Sequence, residues 1–303
     1  VTALLIENLT VRIPLPGGAS VHAASNVDLA VDAGTITALV GESGCGKSVL
    51  ASAVLGMLPA GASVTGSVTV VTADRRIDPF TDSSFRGRDV GLVPQSASSY
   101  LTPVRTARSQ LEETIRVLGS GRTSEELARM VGLDPAHLDR YPHELSGGMA
   151  QRVAFAGALV GDPAVIIADE PTANLDRELA DRVLGLLRRS ADDGAAVLLI
   201  THDLASLMRS EVADRVAVMY ASRIMETGPA SLVFEDPLQD YTRDLLGALP
   251  SRGLIPIPGM PPQLTDLPDE CVYHLRRPTS VHSGGRTALV TVGQRSYRTR
   301  VSA

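Results

Sequence analysis

Residues 41–48, Gly-Glu-Ser-Gly-Cys-Gly-Lys-Ser, contain the only lysine in a chain of 303 residues; every other one of the 28 Lys and Arg side chains is an arginine. The spacing G-x-x-x-x-G-K-S sits between an apolar, strand-like run at 35–40 and an amphipathic run at 48–58 that reads as a helix. Gly41, Gly44 and Gly46 let the main chain curl until several N–H groups converge, a nest suited to phosphate oxygens. Glu42, Ser43, Cys45 and Val49 complete the loop and its exit into the helix. Lys47 would reach the outer phosphates of a nucleotide and the Ser48 hydroxyl would ligate Mg²⁺. The helix N-terminus adds partial positive charge. An arginine fork is too bulky for so tight a loop, which explains a lysine kept here and nowhere else.

A phosphate site of this kind needs a carboxylate nearby to support the metal. The run "AVIIADEP" at 164–171 ends a strand-like segment on Asp169, at the carboxyl end where ligands gather in parallel sheets. Asp169 is expected to hold Mg²⁺ through water, and Glu170, pointing elsewhere, to polarise an attacking water as general base. Three weaker fragments follow the same logic. Ser146-Gly147-Gly148 opens an apolar helix and so makes a second anion-binding helix start. Gln95 follows the strand-like "DVGLVP", and His202 follows "AAVLLI".

These residues need a frame of buried strands and covering helices. The composition suits one: 44% apolar, 3% aromatic, no Trp, so the core must be aliphatic. Strand-like runs at 35–40, 164–169, 195–200 and 215–220 alternate with helical stretches, giving an α/β fold with a mostly parallel sheet. Residues 64–77 read as an exposed antiparallel hairpin, and 101–160 as a helical insertion without strands. After residue 235 the texture changes; the proline-rich stretch 250–268 excludes regular helix or central strand, so the tail reads as a separate, mostly extended appendage. The domains expected are 1–235, with a helical subdomain at about 96–160, and 236–303. A net charge of −6 argues against nucleic-acid binding and a polybasic membrane anchor. No apolar run approaches the ~20 residues of a membrane helix, and the N-terminal residues lack the pattern of a signal peptide. Two cysteines, Cys45 and Cys271, are too few for a disulfide framework.

In this order the fragments resemble the ATP-binding subunits of ABC transporters, over roughly residues 3–235. The resemblance implies a P-loop NTPase core with an antiparallel β subdomain, a helical insertion and a C-terminal tail. It implies an ATPase that binds ATP and Mg²⁺ between two such domains arranged head to tail. Residues 41–48 match the Walker A loop, Gln95 the Q-loop, 145–149 the signature, Asp169 the Walker B aspartate and Glu170 the catalytic glutamate. Residues 173–176 match the D-loop and His202 the switch histidine; Ser48, Gln95 and Asp169 form the expected metal set. The family's adenine-stacking aromatic is missing between residues 11 and 25, leaving Ile13 or His22 to cover the base with weaker stacking.

The segments 141–153, 234–246 and 256–277 are similar to the oligopeptide, dipeptide and nickel importer branch. That likeness implies two permease subunits, a second and different ATPase chain, indirectly a solute-binding protein, and a peripheral place on the cytoplasmic face of the membrane. Peptide and nickel or metallophore remain alternative cargoes. Some relatives hold an iron–sulfur cluster in the tail; Arg277 stands where a second cysteine would be expected, and Cys271 alone cannot supply four ligands, so no cluster is expected. Two other readings are a catalytically weak or regulatory partner in a heterodimer and a soluble ABC ATPase outside transport.

Overall fold

The structure is a computed structural model that describes residues 1–301 apart from Asn174, Asp269 and Gly284, with Ser98 described in its backbone alone. The chain divides into two compact units. The first comprises Val1–Ala3, Val31–Ile36 and Val70–Ile200, and the second Leu4–Ala30, Thr37–Thr69 and Thr201–Ala303.

In the first unit the strands Val90–Val93, Val165–Asp169 and Ala196–Thr201 run parallel, with Val90 opposite Val165 and Val165 opposite Ala196. Residues Val165 to Ala168 and Ala196 to Ile200 are all buried, as expected for strands covered on both faces. The helices Ala107–Leu118, Ser124–Met130 and Gly147–Ala158 form the helical part anticipated between 101 and 160, and no strand interrupts them among the described residues. Their ends are written locally. Thr123 accepts from the Glu126 N–H while Glu126 accepts from the Thr123 N–H, a capping box worth about 1 kcal/mol. Gly119, at φ 65°, closes the preceding helix in a left-handed cap. The pairing of Val70 with Ile77 and Val71 with Arg76 confirms the hairpin. It is half-buried rather than exposed: Val68, Val70 and Ile77 all point into the core.

In the second unit the strands Ser20–Asp32, Thr2–Pro14 and Ser63–Val71 lie side by side in that order. A further set runs Thr287–Val292, Arg295–Arg300, Arg223–Pro229, Arg215–Tyr220 and Ile36–Val40. The last two are parallel and the others antiparallel. Helix Lys47–Val54 leaves the glycine loop and is shorter than the sequence suggests, because Gly56 at φ 61° turns the chain away.

The tail differs most from expectation. It contributes a helix, Asp240–Gly247, and a hairpin whose second strand pairs with Arg223–Pro229, Glu226 opposite Tyr297. The proline-rich part has no regular structure beyond the short 3₁₀ turn Pro250–Arg252. The tail is not a separate appendage, because it buries Tyr241 and Tyr273 completely against Tyr220. The three rings lie with centroids 4.5–5.3 Å apart, tilted or edge to face, a geometry that adds to the burial of their large apolar area.

Candidate functional site

The glycine loop has the curl that its composition implies. Gly41, Gly44 and Gly46 adopt φ of 153°, 78° and 112°, conformations that L side chains rarely take. A Cβ at Gly41 would stand 2.1 Å from the Met219 carbonyl oxygen, and one at Gly46 2.2 Å from that of Ala23, so close backbone approach also demands glycine at both. The Lys47 Nζ donates to the carbonyls of Gly41 (2.8 Å) and Glu42 (3.0 Å), with the side chain almost wholly buried. Its third contact is a weak one, to the Cys45 sulfur at 3.9 Å. The main-chain N–H groups of Gly44, Gly46, Lys47 and Ser48 meet no acceptor among the described residues. Val49 returns its own N–H to the Gly46 carbonyl as the helix begins. Four unsatisfied donors and an ammonium on one curl make a site for an anion with several oxygens. Ser43 and Ser48 are exposed at its rim. Cys45 is packed beneath it, and burial pushes its thiol up, so it serves as a small neutral filler.

In the first unit, Asp169 ends its strand and Glu170 turns at φ 47°, its N–H still bonded to the Ile200 carbonyl at 2.8 Å. A left-handed glutamate is uncommon and costs on the order of 1 kcal/mol. That turn sends the Glu170 carboxylate to Gln95, whose Nε2 donates to Oε2 at 2.9 Å. The Gln95 amide oxygen therefore remains available as a ligand. Gln151, buried in helix Gly147–Ala158, donates to the Pro94 carbonyl at 3.0 Å and ties that helix to the residue before Gln95. Sequence reasoning passed over Gln151; a polar amide amid the apolar residues of "MAQRVAF" is the signal it left unused.

Ser146 caps the same helix, its hydroxyl accepting from Met149 N–H at 3.3 Å. A Cβ at Gly147 would meet nothing within 4 Å, whereas one at Gly148 would press on Leu179 at 2.7 Å. Gly148 thus serves packing, and Gly147 borders open space. His202 lies in the second unit, exposed, at the end of strand Ala196–Thr201. Of the motif at 173–176, Asn174 lies outside the described residues, while Asp176 caps helix Arg177–Asp192 through the Leu179 N–H.

The second unit holds residues that sequence reasoning missed. Arg276 forms a two-pronged pair with Glu42, Nη1 to Oε2 at 2.7 Å and Nη2 to Oε1 at 3.3 Å. The Tyr241 hydroxyl accepts the Glu42 main-chain N–H at 3.2 Å and donates to Oε2 at 3.3 Å. Burial first, then the Glu42 charge, pushes the Tyr241 phenol far above its ordinary value, so it stays protonated. Ile13 and His22 are half-buried, and the His22 N–H is taken by the Leu264 carbonyl of the tail at 2.8 Å. Cys271 is buried with its sulfur 4.0 Å from that of Met225. Among the described residues, no group of three or more His, Cys, Asp or Glu is placed to hold a metal, and no helix is long and apolar enough to cross a membrane.

Compared with known proteins, residues 24–173 match the model of the ABC transporter family. The chain is also 36% identical over 296 residues to the dipeptide transport ATP-binding protein DppD of Bacillus subtilis, covering 91% of this chain and 86% of that one. The chain belongs to the ABC transporter family. Residues 225–283 of this ABC protein match the oligopeptide/dipeptide transporter C-terminal region. It is 40% identical over 278 residues to the oligopeptide transport ATP-binding protein OppD of Mycobacterium bovis, covering 86% of this chain. It spans only 45% of that relative's length. Among solved structures it resembles an ATP-binding cassette solved as a dimer in a post-hydrolysis state with ADP and Pi, at 25% identity and a TM-score of 0.61, covering 75% of this chain and 98% of that one. This likeness agrees with the α/β P-loop fold read from the sequence.

Proposed function

We propose that this chain is the ATP-hydrolysing subunit of an ABC importer for oligopeptides or dipeptides. One observation carries the reading: the glycine loop turns four unsatisfied main-chain donors and the Lys47 ammonium onto a single curl. The peptide cargo is supported by the names of the relatives, among which oligopeptide and dipeptide transport recur. In this reading the loop from Gly41 to Val49 grips the triphosphate. Ser146, Gly147 and Gly148 present the helix start to the nucleotide of a facing, second ATPase subunit. Two permease subunits hold the assembly at the cytoplasmic face of the membrane.

Mg²⁺ fits the donors present, since the Ser48 hydroxyl, the Gln95 amide oxygen and the Asp169 carboxylate are all hard oxygen ligands. When bound, it would neutralise charge on the outer phosphates. The remaining work belongs to side chains. The Glu170 carboxylate accepts a proton from the attacking water as its oxygen approaches the terminal phosphorus. Gln95 orients that carboxylate through the bond already in place. His202 is assigned a hydrogen bond to the transferring phosphoryl group. Ile13 and His22 offer the base a partly apolar wall.

The test is uptake of a labelled tripeptide and of nickel by cells lacking this gene, complemented with wild type or Glu170→Gln. Peptide uptake restored only by the wild type, with nickel uptake unaffected throughout, supports the proposal. Unimpaired peptide uptake in the deletion strain contradicts it, and a loss confined to nickel would reassign the cargo.

A further inference from the structure

Arg276 is 8% exposed, and hydrogen bonds take four of its five N–H donors. Besides the two bonds to Glu42, Nε donates to the Pro258 carbonyl at 2.8 Å and Nη2 to that of Gly259 at 3.2 Å. Its charged plane lies 5.8 Å from the centre of the Tyr220 ring. The proline-rich segment of the tail, the 3₁₀ turn Val272–Leu275 and the aromatic cluster therefore meet at one guanidinium. A buried ion pair is by itself weak grounds for stability, since well-packed apolar residues often do as well. Its location is what matters. Glu42 is the second residue of the glycine loop, and its carbonyl is one of the two that hold Lys47.

The contacts thus run without a break from the tail to the phosphate-gripping ammonium. Arg276 clamps the Glu42 carboxylate, Tyr241 holds the Glu42 N–H, and the Glu42 carbonyl holds Lys47. A loop with three glycines has many alternative conformations, and confining it to one costs conformational entropy. Anchoring Glu42 from its side chain and its main chain meets that cost before any ligand arrives.

We propose that Arg276 is a positioning residue: the tail, by holding Glu42, sets the phosphate-receiving curl of the glycine loop, so that docking of the tail and binding of nucleotide are coupled. The proposal rests on the nucleotide reading of that loop. Coupling of this kind is reciprocal, so nucleotide must tighten the tail by the same factor with which the tail tightens nucleotide.

The test uses the full chain and a non-hydrolysable ATP analogue with Mg²⁺, titrated into wild type, Arg276→Met, Arg276→Lys, Glu42→Gln and the double variant Arg276→Met/Glu42→Gln. Arg276→Met is expected to weaken binding about tenfold, with Arg276→Lys recovering part of the loss. The double variant should bind no more weakly than the worse single one, because both break the same link. A folded Arg276→Met chain that binds within about twofold of wild type, or losses that simply add, would overturn the proposal. Hydrogen exchange on the unaltered chain keeps it testable should the variant fail to fold. The analogue should slow exchange of the amides at 255–277, and unchanged exchange there would count against it. A wild-type chain that binds no analogue overturns the nucleotide reading and this inference with it, whereas normal wild-type binding with an indifferent Arg276→Met sinks this inference alone.

Discussion

Gln95 and Glu170, 75 positions apart, meet side chain to side chain at 2.9 Å. The contact depends on a glutamate held at φ 47°, which turns its carboxylate away from the strand that Asp169 completes. Backbone strain at the end of a buried strand is thereby coupled to the placement of one carboxylate, an arrangement found where a side chain must be aimed rather than merely packed.

From this geometry, Glu170→Gln should lower ATP turnover of the assembled transporter by about 10²–10⁴-fold, the usual loss of a general base. Binding of nucleotide should persist, since Glu170 grips no phosphate in this account. Gln95→Ala should reduce turnover less, because it misaims the carboxylate without removing it. Steady-state hydrolysis alongside equilibrium binding separates the two.

The two signature glycines should respond differently to a methyl group. Gly147→Ala adds a Cβ to open space, so the melting temperature should hold while ATP turnover falls, if that space receives a phosphate from the facing subunit. Gly148→Ala drives its Cβ against Leu179 and should cost about 1–3 kcal/mol of stability, as overpacking does. Thermal melts of both variants check this directly.

The internal packing of the tail carries a pH signature at Asp240. Burial alone would raise this carboxyl. Against it act hydrogen bonds from Ser280 Oγ (2.8 Å) and Val281 N–H (3.1 Å) with the pull of His282 and Arg243, and together they hold it below its ordinary value. A carboxyl lowered on folding stabilises the folded state above its unfolded pKa, about 3.9, and that contribution disappears as pH falls through the lower folded value. Asp240→Asn should therefore lower stability at pH 7 by about 1–3 kcal/mol. The gap between variant and wild type should begin to close near pH 4 and vanish below it. A gap independent of pH over that range would rule out the charge as its source.

Much of this was legible in the residues. Strand Arg215–Tyr220 coincides with the apolar run read from the sequence, and strands Ile36–Val40 and Val165–Asp169 differ by one residue at one end. Those segments are buried on both faces and so announce themselves as unbroken apolar runs. The glycine loop was equally plain, because only glycine fits the left-handed turns and close approaches at 41 and 46. The contacts Tyr241–Glu42 and Arg276–Glu42 were not, since they join residues 199 and 234 positions apart and leave no local period. The hairpin of the tail was readable in principle from the alternation in "ALVTVGQRSYRTR" around Gly293, but the neighbouring prolines dominated the reading of that region.

The central claim is that the curled loop and its single lysine hold a triphosphate. Calorimetric titration of ATP and Mg²⁺ into wild type and Lys47→Ala tests it most directly. Wild type should bind. The variant should bind at least about 30-fold more weakly, the loss that follows from removing one partner of a buried, charge-assisted contact worth some 2–5 kcal/mol. Affinity in Lys47→Ala within a few-fold of wild type would contradict the account.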